Sequence, residues 1–153
     1  MDNFSLISKE KENGNNRAVD GLLYGLVGGI AMLVSLLAFA LLSGDLPGAL
    51  LVRFSAGNST SPIQGLFSHL AVSAIYGLLF GALVWPVLRH ISSASWVGWL
   101  GGLAYAVLLL LLAQIAILPG VNSPLAQLPF WQWALGHGIY GLVLGGLFSR
   151  KVV

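Results

Sequence analysis

The chain has 153 residues, of which 57% are hydrophobic and only 8% charged, and its mean hydropathy is +0.87. Water-soluble domains carry roughly 25% charged residues, so this composition indicates an integral membrane protein. The net charge of +2 includes no basic cluster of the kind that tracks nucleic acid, and the chain contains no cysteine. We therefore expect no nucleic-acid partner, no disulfide bond, no thiolate metal site and no cysteine nucleophile.

The N-terminal segment, residues 1–19, is polar, and we expect a disordered cytoplasmic tail because it lacks the apolar content needed to order itself. The apolar stretch that follows is longer than a signal-peptide core and has no convincing cleavage site, so we interpret it as a membrane helix. Residues 20–150 then form a single membrane domain, which leaves no length for a second folded domain.

Four apolar stretches make up this domain, at about residues 21–43, 64–88, 96–118 and 130–149. Each approaches or exceeds the roughly 20 residues that an α-helix needs to cross the hydrocarbon core of a bilayer. None has the alternating pattern of a membrane β-barrel strand. The sequence thus predicts an all-α fold, a four-helix transmembrane bundle.

The positions of lysine and arginine predict how this bundle is oriented. The tail, the loop after the second helix and the C-terminus together contain Lys9, Lys11, Arg17, Arg89, Arg150 and Lys151. The two opposite loops contain only Arg53. Positive residues favour the cytoplasmic side, so we expect both termini in the cytoplasm and a multi-pass protein of the cytoplasmic membrane.

Two features of the opposite loops affect the local structure. Residues 46–54 form either a short helix lying at the membrane surface or an irregular loop. The fourth helix begins with Phe130, Trp131 and Trp133, which we expect to anchor at the level of the lipid headgroups.

Glycines spaced four residues apart recur in every predicted helix, and in three of them the first glycine belongs to a Tyr-Gly-Leu sequence. These glycines are Gly25, Gly29, Gly77, Gly81, Gly98, Gly102, Gly141 and Gly145. Two glycines four apart lie on one helical face and allow neighbouring backbones to approach closely, so we predict that they are helix-packing residues. In the alternative, some of them face a partner protein or a flat cofactor.

His69 and His137 form the most interesting pair of polar residues. Each lies about two turns into its helix, roughly 10 Å below the same membrane boundary, and an ionisable residue at that depth is a functional candidate. The pair is suited to ligate a haem or chlorin, and Gly136 and Gly138 would leave space for the macrocycle. In the alternative, each histidine makes a structural hydrogen bond to a serine, a tyrosine or a backbone carbonyl.

The second and fourth helices share a histidine followed by Tyr-Gly-x-x-x-Gly. The residues are His69, Tyr76, Gly77 and Gly81, and then His137, Tyr140, Gly141 and Gly145. In these motifs the chain resembles the small four-helix bacterial inner-membrane proteins of unknown function. The resemblance covers most of residues 20–149, including a break at Pro119-Gly120 after the third helix. It implies a bacterial cytoplasmic membrane and carries over no activity.

The chemistry expected of an enzyme is missing from the predicted helices. Helices two to four contain no carboxylate, and no serine has the glycine context of a nucleophile elbow. By elimination, the sequence predicts a non-enzymatic structural or accessory subunit of a larger respiratory or photosynthetic complex, in contact with lipid and with other membrane subunits or itself. The alternatives are a haem- or pigment-binding protein that uses His69 and His137, and a small oligomeric transporter or channel that uses polar residues such as Gln114 or Ser73.

Overall fold

The computed structural model describes residues 3–55, 60–121 and 124–150, and within these ranges the chain is all-α with no β-strand. The α-helices are α1 (Asn3–Leu42), α2 (Pro47–Arg53), α3 (Pro62–Leu79), α4 (Trp85–Ile91), α5 (Trp96–Leu112), α6 (Leu118–Val121) and α7 (Phe130–Arg150). One π-helical turn, Phe80–Val84, joins α3 to α4, and another, Ala113–Ile117, joins α5 to α6. A 3-10 turn, Pro124–Gln127, precedes α7.

Three of the helical segments are long and apolar enough to cross a membrane: Gly14–Leu42, Pro62–Ile91 and Trp96–Gly120. They coincide with the first three predicted helices, and they make the chain a multi-pass membrane protein. Helix α7 has 21 residues and is the fourth long segment. It is less apolar than the others because it contains Gln132, His137 and Ser149, all of which are buried inside the protein.

Helix α1 begins at Asn3, so residues 3–19 continue the first membrane helix where the sequence predicts a disordered tail. Starting a helix is the unfavourable step, and adding residues to an existing one requires no new nucleus. This segment contains no proline to stop the extension.

Both π-helical turns lie just before a proline. The first begins at Phe80, six residues before Pro86, and the second begins at Ala113, six residues before Pro119. A proline has no N–H group, and its ring clashes with the carbonyl four residues earlier, whereas a π turn widens the helix at that point. The helical path consequently continues past Pro86 to Ile91 and past Pro119 to Val121, so Pro86 does not end its helix, and residues 119–120 are helical where a break was expected.

The four long segments are arranged in the order α3, α1, α7, α5. Helix α1 packs against both α3 and α7, and α5 packs against α7. Helices α3 and α5, at the two ends of this row, approach mainly through side chains: the Tyr105 hydroxyl donates to the Tyr76 carbonyl at 2.9 Å, and its ring lies 5.2 Å from that of Phe80. Phe80, Leu144 and Phe148 are among the most deeply buried side chains, each at most 1% exposed.

The α1–α3 and α5–α7 hairpins make equivalent glycine contacts. In each hairpin, a glycine of the second helix approaches the carbonyl of one glycine and the backbone of another on the first helix: Gly77 approaches Gly21 and Gly25, and Gly145 approaches Gly98 and Gly102. The two hairpins are therefore structural repeats, in which α1 corresponds to α5 and α3 corresponds to α7.

Helix α2 lies across the start of α3. Gly65 of α3 sits directly beneath the Leu51 carbonyl, and Leu50 is only 2% exposed. Of the two structures considered for residues 46–54, the short helix is therefore the one observed, and it covers one end of the hairpin repeats.

Candidate functional site

A cavity of about 230 Å³ lies beneath α2, in the gap between α3 and α5. Its walls are mainly apolar and include Met32, Phe54, Leu109 and Trp133. Val72 of α3 and Ile117 of the second π turn also line it, and these two are 47% and 38% exposed at the protein surface. The cavity therefore opens sideways, toward the position of the lipid.

His69 of α3 projects into this cavity and is 7% exposed. Its Nε2 lies 3.0 Å from the carbonyl oxygen of Gly29 on α1. A carbonyl oxygen only accepts hydrogen bonds, so Nε2 carries the hydrogen and donates it. In the neutral ring, Nδ1 then has an unused lone pair. The ring of Phe54 packs edge-on against this imidazole with the centroids 4.8 Å apart.

His137 of α7 lines the same cavity and is 8% exposed. Its Nδ1 donates to the Trp133 carbonyl one turn earlier, at 3.0 Å, which leaves the lone pair on Nε2. The repeat that pairs Gly77 with Gly145 also pairs His69 with His137, because each histidine precedes its glycine by the same distance along the chain. The two repeats therefore place their histidines at the same level.

The second nitrogen of each imidazole makes no hydrogen bond to the described part of the protein. Yet no fully buried side-chain nitrogen or oxygen in that part lacks a partner. Both second nitrogens must therefore reach open space, which the cavity supplies.

Two hydroxyl groups at the cavity wall already donate within the protein. The Tyr140 hydroxyl donates to the Ser73 carbonyl at 2.8 Å and so connects α7 to α3. The Ser73 hydroxyl donates to the His69 carbonyl, also at 2.8 Å. Ser73 Oγ therefore bonds the backbone of His69 and not its ring, unlike the hydroxyl of a Ser–His pair.

The glycines singled out in the sequence lie at two contacts between helices. The α1–α3 contact contains Gly25, Gly29, Gly77 and Gly81, and the α5–α7 contact contains Gly98, Gly102, Gly141 and Gly145. None of them lines the cavity. Sequence reasoning missed Gly21, which faces Gly77 and Gly81. Its position four residues before Gly25 extends the same motif and is the signal that would have found it.

The two glycines expected to leave space for a macrocycle beside His137 differ in their surroundings. A Cβ atom added to Gly136 would lie 3.3 Å from Met32, so this face is already filled by α1, and Gly138 faces away from the protein. A cavity of about 150 Å³ holds one benzene ring. At about 230 Å³, this one is too small for the four pyrrole rings of a haem or chlorin. Among the described residues, no group of three or more His, Cys, Asp or Glu side chains is arranged to hold a metal ion.

Trp133 is a cavity residue that the sequence assigned to the lipid headgroups. It is 5% exposed, and its indole N–H donates to the Leu125 carbonyl at 3.2 Å. Phe130 and Trp131 are 64% and 50% exposed, as lipid-facing anchors should be. The signal that separates them is helical spacing, because Trp133 lies one turn before His137 and shares its face.

No family model, curated protein or solved structure matches this chain, so its functional assignment depends on the geometry of the cavity.

Proposed function

We propose that this chain is a non-enzymatic, four-pass protein of the cytoplasmic membrane that binds a small, largely apolar ligand from the lipid in the cavity between α3 and α5. The observation that carries this proposal is the pair of imidazoles that face a sideways-opening cavity with an unused lone pair each. Ligand sites are typically apolar with a few well-placed polar groups, and in repeat-built membrane proteins they lie between the repeats.

The direction in which the polar residues of α7 point supports a fourth membrane crossing. Gln132, His137 and Ser149 are each at most 8% exposed, whereas the outward-facing Leu135 and Leu142 are 50% and 38% exposed. A helix whose polar side chains are buried against neighbouring helices and whose leucines face outward is suited to a lipid environment. Its 21 residues are also long enough to cross the hydrocarbon core.

The arrangement of arginines supports the proposed orientation. Gly81 lies beside the Arg17 carbonyl, and Ser149 donates to the Ser95 carbonyl, so Arg17, Arg89 in the last turn of α4, and Arg150 all lie at one end of the molecule. Arg53 lies at the other end, in α2. The positive-inside rule then assigns the first end to the cytoplasm.

Single-cysteine labelling tests this topology directly, because the natural chain has no cysteine. In intact cells, we expect a membrane-impermeant maleimide to label Thr60→Cys, which precedes α3 on the side of α2. We expect it to label Ser93→Cys, in the α4–α5 loop, only after the cells are opened. Both residues are exposed, and the unmodified chain is the control for background labelling. The reverse pattern would overturn the orientation, and labelling of both in intact cells would overturn the membrane crossing by α3 and α4.

The lining of the cavity favours binding over catalysis or conduction. Among the described residues, no carboxylate and no lysine or arginine lines it. On the side away from α2, the path through the molecule is closed by Phe80, Leu144 and Phe148, each at most 1% exposed. A single chain in this conformation therefore has no continuous polar path for a solute.

No structural observation specifically supports the accessory-subunit hypothesis. Apolar side chains are exposed on all four long segments, for example Val34, Leu83, Leu108 and Leu135, between 50% and 64%. Lipid tails cover such apolar surfaces as favourably as a partner subunit does. We therefore place ligand binding first and keep contact with the bilayer as the established interaction.

Filling the cavity tests the proposed function. Ala113 lines the cavity, whereas Ala104 faces outward on the same helical segment. We expect Ala113→Phe to weaken binding of the single-ring probe 4-fluorotoluene by about tenfold or more, because the added ring occupies the ligand's space. Binding is measured by ¹⁹F NMR in lipid nanodiscs.

Ala104→Phe is the matched control and should bind the probe like the natural chain. Probe that merely dissolves in the lipid gives the same background with all three proteins. If the probe shows no saturable binding to the natural chain, or binds Ala113→Phe equally well, the cavity is not a ligand site.

A further inference from the structure

The histidine, serine and tyrosine side chains that hydrogen-bond at the cavity wall offer a ligand acceptors and no donors. The ring N–H of each histidine and the hydroxyl hydrogens of Ser73 and Tyr140 are all engaged with backbone carbonyls of the protein. What these four side chains still offer to the cavity is lone pairs. The two imidazole nitrogens are fixed acceptors, because the tautomer of each neutral ring is set by its bond to the backbone.

A ligand that suits these acceptors must carry a hydrogen-bond donor. At the imidazoles, a carbonyl, an ether, a carboxylate or a phosphate would bring lone pairs against lone pairs. In the described part of the chain, no lysine or arginine lines the cavity to balance an anion. The hydroxyls of Ser68 and Tyr76, also in the wall, can rotate to donate or accept, so they suit either kind of ligand, and the selection comes from the two imidazole nitrogens, which only accept. A neutral O–H donor is the simplest group that fits.

The size and the walls of the cavity indicate an aromatic ring. Its volume of about 230 Å³ exceeds the roughly 150 Å³ that holds one benzene and falls well short of what several fused rings need. The rings of Phe54, Tyr76, Trp133 and Tyr140 all line it. Aromatic side chains favour edge-on and offset contacts with another ring, so they would select a planar head over a flexible chain.

The sideways opening between Val72 and Ile117 gives this ring an apolar route from the bilayer, and leaves room for a hydrocarbon tail to remain in lipid. We infer that the ligand is a lipid-soluble phenol, whose ring fills the cavity and whose hydroxyl donates to Nδ1 of His69 or Nε2 of His137. This inference rests on the proposed function and specifies the ligand class of the same site.

Three probes of nearly equal shape test the inference on the natural chain. 4-Fluorophenol carries a donor, 4-fluorotoluene replaces the hydroxyl by a methyl group, and 4-fluoroanisole retains the oxygen as an acceptor only. We expect 4-fluorophenol to bind about tenfold more tightly than the other two, which is the effect of one well-made hydrogen bond. Affinities are measured by ¹⁹F NMR in nanodiscs and corrected for partition of each probe into the lipid.

Histidine variants assign the preference to the two imidazoles. We expect the preference for 4-fluorophenol to fall several-fold in His69→Phe or His137→Phe, and to disappear in the double variant. His90 is an exposed histidine at the other end of the molecule and does not line the cavity, so His90→Phe should keep the full preference.

The outcomes separate this inference from the proposed function. Equal binding of all three probes, abolished by Ala113→Phe, would sustain a ligand-binding cavity and overturn the phenol. Binding of 4-fluoroanisole as tightly as 4-fluorophenol would overturn it as well, because the wall hydroxyls of Ser68 or Tyr76 would then supply the hydrogen bond and the imidazoles would give no selection. No saturable binding of any probe would remove the proposed function itself. The comparison of probes on the natural chain stands even if a histidine variant fails to fold.

Discussion

Replacing Gly77 by alanine is expected to lower the free energy of unfolding by about 3 kcal/mol, at the upper end of the usual range for overpacking. The added methyl group would overlap the Gly21 carbonyl and come within 2.5 Å of the Gly25 Cα atom, and these are backbone atoms that no side-chain rotation can move away. The α1–α3 hairpin must therefore separate. Unfolding of the purified protein by a denaturing detergent, followed by circular dichroism, measures the change.

Gly138→Ala is the matched control, since a Cβ atom at this position in α7 meets nothing within 4 Å. In an open position, alanine is a better helix former than glycine by up to about 1 kcal/mol, so this variant should be as stable as the natural chain or slightly more stable. The two substitutions are chemically identical and are expected to act with opposite sign. Equal stability of the two variants would contradict the close packing of α1 and α3.

Replacing Phe80 by alanine is the second change with a large expected effect, a loss of about 3 kcal/mol. Its ring is 0% exposed and lies 5.2 Å from the ring of Tyr105 and 5.4 Å from that of Phe148. A Phe→Ala change in the core of a water-soluble protein costs about 3–5 kcal/mol. We expect the low end here because, in the unfolded state, lipid solvates the phenylalanine ring better than water does, so folding gains less from burying it. The expected loss of stability then comes from the packing contacts that neighbouring side chains lose around the space left by the ring, which the π turn cannot close.

Phe67→Ala is the control for this second change, because Phe67 lies on the same helical rod but is 66% exposed. Its removal should change the stability by less than about 0.5 kcal/mol. The same detergent-unfolding measurement applies to both variants. A larger loss for Phe67→Ala than for Phe80→Ala would mean that the outward and inward faces of α3 have been assigned in reverse.

The sequence was informative about the helices because their signal is local. An apolar run of about 20 residues predicts a membrane helix whatever its neighbours are, and the three segments that meet the criteria of length and apolarity lie where it predicted them. The glycine spacing likewise describes one face of one helix. The bounds were less accurate at Pro86 and Pro119, because a proline indicates a disturbance without revealing whether the helix ends or widens into a π turn.

The cavity could not have been predicted in the same way. His69 and His137 were recognised as a pair at one depth, but their tautomers depend on the carbonyls of Gly29 and Trp133, which only the folded chain brings into position. The gap between α3 and α5 depends on the order in which the helices pack. Helical pattern shows which face of a helix is suited to packing, and it does not identify the partner that covers that face.

The two hairpins face each other at two places, α1 against α7 and α3 against α5. If the α3–α5 contact were as close as the α1–α7 contact, the four helices would form a closed, twofold-symmetric ring. In the contact between α1 and α7, Gly28 lets the ring of Tyr140 lie against the helix backbone. Because α1 corresponds to α5 in the repeat, Gly28 corresponds to Tyr105. The equivalent position on α5 therefore has a large ring, and its hydroxyl donates to the Tyr76 carbonyl of α3. One glycine exchanged for a tyrosine at symmetric positions thus breaks the symmetry, with Tyr105 acting as a spacer that holds apart the two helices between which the cavity lies.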